Sequence, residues 1–265
     1  MADQKSLLKF TGSLSGLVFY ERNGKFYVKG AGGADRKRIL KEPNFVRTRE
    51  NMQEFGASAV MGRSFRNGFL PVSKLIRTTS LSGKVTGIMK RINKAGAGVR
   101  GSRSFEIIKN KTCLEGFELN QKVALSSVFY PPYPMPELNS TRNLITWQVP
   151  PFHPTIYISG PHRASHFQVL LHAFVLSDYV FDKDVEKYLF VGDKYHEFRG
   201  TSYSSVLSSR SHLTETINLS IQLGEPELSN SAALVVSIGI LFFEEVNGKP
   251  LLISGQNSMK VVLVA

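Results

Sequence analysis

The apolar pattern after Pro43 is typical of an amphipathic helix. Its first positions are separated by steps of seven, three and four, which place them on one face of an α-helix. These positions are Phe45, Met52, Phe55 and Ala59. Pro43 suits the first turn of a helix. We therefore predict a helix after Pro43 whose apolar face is buried, with charged residues such as Glu50 and Glu54 on a solvated opposite face.

Two further apolar runs follow at helical spacing. Their members are Phe65, Phe69, Val72 and Ile76 in the first run, and Val85, Ile88, Met89 and Ile92 in the second. Gly62, Gly68 and Pro71 interrupt the first run, so we expect a kink or two short helices. Ser82 is expected to be the N-cap of the last helix, and Gly96 its left-handed C-cap.

A β-hairpin is predicted near the N-terminus. Aromatic and β-branched residues at 17–20 and 25–28 flank the turn that contains Asn23-Gly24. Asn-Gly is a strong hairpin signal because both residues tolerate positive φ. An isolated hairpin is marginally stable. We therefore expect its aromatic face to be covered by the helices, by the later sheet or by a neighbouring chain.

The second half of the chain alternates short apolar runs with turn residues, which is typical of an antiparallel β-sandwich. Strand-like pieces are expected at 104–108 and within 114–128. Further strands are predicted at 144–149, 155–159, 166–177, 187–190, 214–223, 232–246, 250–254 and 260–264. Asn247-Gly248 predicts a second hairpin. The final strand can close its own sheet, or it can pair with a neighbouring chain.

These elements predict an α+β fold with an N-terminal β-hairpin, central basic helices and a C-terminal antiparallel β-sandwich. We divide the chain into an N-terminal β-hairpin with a basic arm (1–42), a basic helical region with a Gly-rich loop (43–112) and a β-sandwich domain (113–265). No run approaches ~18 apolar residues, so no membrane span is expected. Residues 1–5 show no secretory pattern, so we expect a cytoplasmic location.

The net charge of +12 is unevenly distributed. Residues 1–112 contain 23 Lys+Arg and 7 Asp+Glu, or +16, whereas residues 113–265 contain 10 and 14, or −4. This asymmetry favours either an anionic partner such as nucleic acid or contacts between basic and acidic faces of neighbouring copies. A solvated basic surface without a partner is the third interpretation.

Basic residues in the first half are candidates for contact with an anionic partner. The set is Arg36, Lys37, Arg38, Lys41, Lys90, Arg91, Lys94, Arg100 and Arg103. Aromatic and basic residues also interleave in the first hairpin, which is typical of surfaces that stack unpaired bases. These residues are Tyr20, Arg22, Lys25, Phe26 and Tyr27. No helix-turn-helix, zinc-finger or RNP motif accompanies them.

Catalytic, cofactor and metal sites are not expected. Residues 96–101 spell G-x-G-x-x-G, but they follow a helical run, whereas a dinucleotide fingerprint follows a strand. His162 and His166 have no adjacent Cys or acidic residue. His196-Glu197 lacks the second histidine of a zinc-protease helix, and Ser6-Leu7-Leu8-Lys9 has no partner motif. Cys113 is the single cysteine, which excludes an internal disulfide.

Several stretches resemble an uncharacterised family of basic proteins of the Bacteroidetes type. They are residues 12–20, 43–51, 54–56, 100–103 and 116–120. The resemblance covers the first half of the chain well and the second half loosely. It implies a bacterial, non-secreted protein, and it carries over no functional residues.

The charge asymmetry and the small hairpin indicate a non-catalytic structural protein. We expect it to self-assemble into an oligomer, filament or particle through β-strand contacts and through contacts between basic and acidic surfaces. The alternative is a nucleic-acid-binding protein that uses the basic N-terminal half. The expected partners are therefore further copies of the chain or nucleic acid, and no cofactor is expected.

Overall fold

A computed structural model describes residues 2–5, 8–76, 81–192, 198–224 and 227–265. The dipeptides Ser6-Leu7 and His196-Glu197 lie outside these ranges. Within them the chain combines helices with antiparallel sheets, which confirms the α+β class. The chain divides into two compact units, Met1–Glu50 and Asn51–Ala265, which are described separately.

The first unit contains a four-stranded antiparallel sheet with the order β1-β4-β3-β2. Its strands are β1 (Ala2–Asp3), β2 (Gly12–Leu14), β3 (Leu17–Arg22) and β4 (Lys25–Gly30). Asn23 and Gly24 have φ values of 52° and 73°, so a type I′ turn joins β3 to β4 and confirms the predicted hairpin. Helix α1 (Arg36–Lys41) and a 3₁₀ turn (Pro43–Phe45) follow.

The first unit has no hydrophobic core of its own. None of the residues described between 2 and 50 is buried, and the side chains of β3 and β4 are half-buried or exposed. A sheet of short strands needs a covered apolar face for independent stability. This unit therefore lacks the burial that normally stabilises a sheet.

Three α-helices follow, and the longest one packs differently from the prediction. They are α2 (Val46–Gly68), α3 (Leu70–Ser73) and α4 (Leu81–Ala95). Met52 and Phe55, predicted to be buried, are 56% and 60% exposed. The buried residues of α2 are Glu54, Ala57, Ser58, Met61, Gly62 and Phe65. Small residues occupy the buried face of α2 because α4 packs closely against it. A Cβ added at Gly62 would lie 3.4 Å from the side chain of Val85.

The ends of the helices also differ from the prediction. Helix α2 continues through Gly62 and ends at Gly68, where an added Cβ would lie 2.3 Å from the ring of Phe174. Ser82 is not an N-cap, because it lies inside α4 (Leu81–Ala95). Gly96 is not a left-handed C-cap; it is required because a Cβ there would lie 1.9 Å from the backbone oxygen of Ser104.

A six-stranded antiparallel sheet, counted over the described residues, forms the centre of the second unit. Its strands are β7 (His166–Ser177), β10 (Arg199–Tyr203), β11 (Leu207–Ser208), β13 (Ala232–Val246), β14 (Lys249–Leu252) and β15 (Ser258–Val264). Strands β7 and β13 pair over twelve residues each, from Ala232 opposite Ser177 to Phe243 opposite His166. Both strands are buried along most of their length, which explains their nearly continuous apolar sequence.

Two apolar layers cover the two faces of this sheet. On one face, Leu170, Phe174 and Val235 belong to a core that includes Phe65 of α2 and Ile92 of α4. On the other face the partner is a three-stranded sheet of β5 (Glu137–Leu138), β6 (Leu144–Val149) and β12 (Ile217–Gln222). The helices are therefore needed to bury one side of the central sheet.

Several predicted strands are wrong. Residues 104–108 form only an isolated bridge at Phe105, and a 3₁₀ helix (Ile108–Cys113) follows. Segment 114–128 forms an isolated bridge at Glu118, beside β15, and the short helix α5 (Leu125–Val128). Residues 155–159 lie largely in helix α6 (Pro154–Tyr157), because Pro154 occupies a first-turn position. Strands β8 (Tyr179–Asp182) and β9 (Lys187–Phe190) form a separate hairpin.

The final strand closes its own sheet. One edge of β15 pairs with β13. On the other edge the backbone N–H of Leu119 donates to Met259 (2.9 Å), and the N–H of Val261 donates to Phe117 (2.9 Å). Since both edges are paired within the chain, the alternative in which this strand joins a neighbour is not supported by the fold.

Candidate functional site

The N-terminal sheet carries an apolar face with exposed side chains. The pairing of Phe19 with Val28, and of Leu17 with Leu14, places these residues on one side of the sheet. We call this side the apolar sheet face; its members are Phe10, Leu14, Leu17, Phe19, Phe26 and Val28. Phe10 joins it through an edge-to-face contact with Phe19, at 6.2 Å between ring centroids.

The opposite side of the same sheet is aromatic and basic. Tyr20 and Tyr27 pair across β3 and β4, and their rings stack with centroids 5.7 Å apart. The ammonium of Lys29 lies 5.6 Å from the centroid of Tyr20, within range of a cation–π interaction. Arg22 and Lys25 pair at the end of the hairpin. We call this side the tyrosine face.

A second exposed apolar surface lies on α2. Met52, Phe55 and Ala59 are all exposed, and their spacing of three and four is that of a coiled-coil seam. We call these three residues the α2 stripe. The sequence pattern identified the stripe correctly as apolar but assigned it to the interior.

A buried carboxylate lies on the opposite side of α2. Glu54 is fully buried and accepts hydrogen bonds from Arg103 Nε and Nη2 (2.8 Å each), from Lys90 Nζ (2.6 Å) and from the backbone N–H of Gly101 (2.8 Å). Gly101 has a φ of 99°, a left-handed value that favours glycine. Glu54 therefore ties α2 to α4 and to the Gly-rich loop.

The charges around Glu54 shift its acidity. Burial alone would raise the pKa of Glu54, but the hydrogen bonds from Arg103, Lys90 and Gly101 outweigh it and lower the pKa to about 2. Tyr188 donates to the backbone oxygen of Arg103 (2.9 Å), and burial raises the pKa of Tyr188 to about 12. These groups keep fixed protonation states near neutral pH, which suits a structural role.

The predicted anion-contacting residues fall into two groups, one in each unit. Arg36, Lys37, Arg38 and Lys41 are exposed on α1, where Arg38 forms an ion pair with Glu42.

In the second unit the geometry separates the predicted residues further. Lys90 and Arg103 are engaged with Glu54, so their charges stabilise the fold. Arg91, Lys94 and Arg100 are exposed. Lys29 of the tyrosine face was not in the predicted set, although its position two residues after Tyr27 places it on that side of β4.

Three comparisons with known proteins were negative. No family model matches the chain, no curated protein matches it, and no solved structure matches its fold. Over the described ranges, no helix is long and apolar enough to cross a membrane. Within the same ranges, no group of three or more His, Cys, Asp or Glu residues is placed to hold a metal ion.

Proposed function

We propose that this chain is a cytoplasmic, non-catalytic structural protein that assembles with copies of itself. The observation that carries the proposal is the uncovered apolar sheet face in a unit without any buried residue among those described. The second unit, by contrast, buries extensive cores on both sides of its central sheet. An exposed apolar patch of this kind is typical of a surface that a partner covers.

The apolar sheet face supplies part of the area that an interface between copies needs. Phe10, Leu14 and Leu17 are 55%, 68% and 42% exposed. With about 200 Å² for a large apolar side chain, the face presents roughly 300–400 Å² per copy. Burying this area on two copies removes roughly 600–800 Å² from water, whereas a standard interface buries about 1,200–2,000 Å², so the α2 stripe and complementary charges must add to it.

The partner that fits both apolar surfaces is a second copy of the chain. The apolar sheet face can pack against the same face of another copy, and the α2 stripe can pair with another α2 in a coiled-coil contact. Since each contact uses a different surface, one chain can bind two neighbours. The expected product is therefore larger than a dimer. The basic first half and the acidic second half add complementary charge between copies.

Mass measurements on three variants test this assembly. Leu17→Glu places a charge on the apolar sheet face, and Phe55→Glu places one on the α2 stripe; both positions are exposed, so neither change disturbs a core. We expect the wild-type protein to form assemblies larger than a dimer in size-exclusion chromatography with light scattering. Leu17→Glu and Phe55→Glu should each form only dimers, because one of the two contacts remains. The double variant Leu17→Glu/Phe55→Glu should be a monomer.

The matched control for these variants is Val99→Glu, at a loop position that is 73% exposed and lies outside both surfaces. It should assemble as the wild-type protein does. A wild-type protein that stays monomeric at high concentration and low salt contradicts the proposal. Variants that keep the wild-type mass would also overturn the roles given to the two surfaces.

The tyrosine face favours a second candidate function, the binding of single-stranded nucleic acid. Stacked Tyr20 and Tyr27 offer ring surfaces for bases, and Lys25 and Lys29 are exposed beside them to contact phosphates. The exposed basic residues of α1 belong to the same unit and extend its positive charge. This surface lies on the other side of the sheet from the apolar face, so binding does not compete with assembly for the same side chains.

A salt titration tests this second candidate. With a fluorescent single-stranded oligonucleotide, log affinity should fall linearly with log salt concentration, by about 0.7 for each phosphate neutralised. The double variant Lys25→Gln/Lys29→Gln should lower this slope by about 1.4. Lys249→Gln, an exposed change in the acidic half, is the control and should leave the slope unchanged. Fluorescence polarisation that shows a flat salt response rejects this function.

A further inference from the structure

A groove of about 390 Å³ lies between the segment that joins β10 to β11 and the segment that leads into β12. Its lining begins at Tyr203, the last residue of β10, and ends at Asn218 in β12. This volume is within the range of sites that hold a small ligand. None of the lining residues belongs to the apolar sheet face or the α2 stripe, so the groove is independent of the surfaces proposed for assembly.

Most of the side chains that line this groove are polar and exposed, so they face space that a ligand can occupy. The exposed polar members are Ser205, His212, Thr214, Glu215, Thr216 and Asn218. Together they present hydroxyls, an imidazole, a carboxylate and an amide, which supply both hydrogen-bond donors and acceptors. Such a lining fits a ligand that carries many hydroxyl groups, each of which donates and accepts.

Tyr203 adds an aromatic surface at one end of the groove. This residue is 41% exposed. The face of an aromatic ring carries negative potential, which attracts the positively polarised C–H groups on the flat side of a sugar ring. A groove that combines one such ring with several polar side chains therefore matches both the C–H face and the hydroxyl rim of a saccharide.

Contacts outside the groove hold one of its walls in place. The backbone N–H of Leu213 donates to the backbone oxygen of Phe152 (3.1 Å). The neighbouring ring of His212 stacks on His153, with centroids 4.1 Å apart. Because this wall is already fixed by residues 152 and 153, a ligand pays less to order it on binding.

The charge of the groove favours a neutral ligand over an anion. None of the described residues that line it is lysine or arginine, whereas Glu215 is acidic. A carboxylate repels phosphate or sulfate groups, but it accepts charge-assisted hydrogen bonds from hydroxyls. The groove is therefore unlike the basic tyrosine face and selects a different class of molecule.

We propose that this groove binds a short neutral oligosaccharide, with one sugar ring packed on Tyr203 and its hydroxyls hydrogen-bonded to Glu215 and Asn218. The ring supplies the apolar contact, and the polar side chains fix the orientation of the sugar. A charged sugar of the same length keeps the first contribution but is repelled by Glu215.

NMR titration of the isotope-labelled full chain with trisaccharides tests the site. The neutral probes are maltotriose, cellotriose and chitotriose, and the anionic probe is trigalacturonate. At least one neutral probe should bind saturably and shift the amide signals of residues 203–218, and trigalacturonate should bind most weakly. Tyr203→Ala should weaken the neutral probe about tenfold, because the stacking surface is lost. Glu215→Ala should weaken it by about ten- to hundredfold, as expected for a lost charge-assisted hydrogen bond.

Three further variants serve as controls for this titration. Tyr203→Phe retains the ring and should bind more like the wild type than like Tyr203→Ala. Tyr130→Ala removes a tyrosine that is 46% exposed outside the groove, and Glu245→Ala removes an exposed carboxylate outside it; both should bind as the wild type does. Absence of saturable binding by all three neutral probes, equal affinity in the wild type and Tyr203→Ala, or tighter binding of trigalacturonate would overturn the proposal.

Discussion

Replacing Glu54 with glutamine is expected to lower the free energy of unfolding by about 3–5 kcal/mol. The substitution leaves the guanidinium of Arg103 and the ammonium of Lys90 without their buried counter-charge. Breaking a buried ion pair from one side is costly because the remaining charges stay desolvated. Chemical denaturation at neutral pH, followed by circular dichroism, measures the change.

The matched control is Glu244→Gln, which removes a half-buried carboxylate from a 3.5 Å ion pair whose other member, Arg163, is exposed. Exposed pairs contribute about 0–1 kcal/mol, so this variant should unfold nearly as the wild type does. If Glu54→Gln and Glu244→Gln have equal stability, Glu54 does not hold α2, α4 and the Gly-rich loop together.

Acidification from pH 6.5 to pH 4 is expected to remove about 3 kcal/mol of stability through His172. His172 is buried behind the end of α2, with Nε2 3.0 Å from the backbone oxygen of Gly68 and Nδ1 2.8 Å from Thr201 Oγ1. Burial lowers its pKa from 6.5 to about 4, and the charge of Arg199 acts in the same direction.

The sign of this effect follows from the proton balance. The unfolded chain takes up a proton on this histidine below pH 6.5, whereas the folded chain resists protonation down to about pH 4. The stabilisation is therefore complete above pH 6.5 and is lost as the pH falls to 4. Glu118 and Asp178, whose pKa values are raised by burial, act in the opposite direction.

The appropriate readout is therefore the difference between the wild type and His172→Gln. Denaturation at a series of pH values should show this loss in the wild-type protein and in the exposed control His162→Gln, but not in His172→Gln. An identical pH profile for the wild type and His172→Gln would show that His172 is not the titrating group. The contribution of Glu54 is separated because, with a pKa of about 2, it is lost only below about pH 4.5.

Local patterns predicted the parts of the fold that local chemistry controls. The two Asn-Gly turns form hairpins with both residues at positive φ. The longest apolar runs, at β7 and β13, form the buried centre of the main sheet. Strand-like residues were expected within 114–128, but their pairing with β15 through Phe117 and Leu119 was not predicted, because an apolar pattern does not identify a distant partner strand.

The burial of α2 was not predictable from hydrophobicity alone. Its large apolar residues, Met52 and Phe55, are exposed, whereas Ala57, Ser58 and Gly62 are buried because they permit close packing. Glu54 lies on the same face, three and four residues before Ala57 and Ser58. Its partners Lys90 and Arg103 are 36 and 49 residues away, and the sequence around a single glutamate does not identify such distant partners. The exposed α2 stripe therefore has a clearer hydrophobic pattern in the sequence than the buried face of α2 has.

Hydrogen exchange of the N-terminal sheet, measured at several protein concentrations, tests most directly whether a second copy covers it. We expect backbone amides in β3 and β4 to exchange rapidly in dilute solution and to become protected as the measured mass rises. In the Leu17→Glu/Phe55→Glu variant they should exchange rapidly at every concentration. Protection that is equally strong in dilute and concentrated samples, or in the double variant, would contradict the covering of this sheet by a second copy.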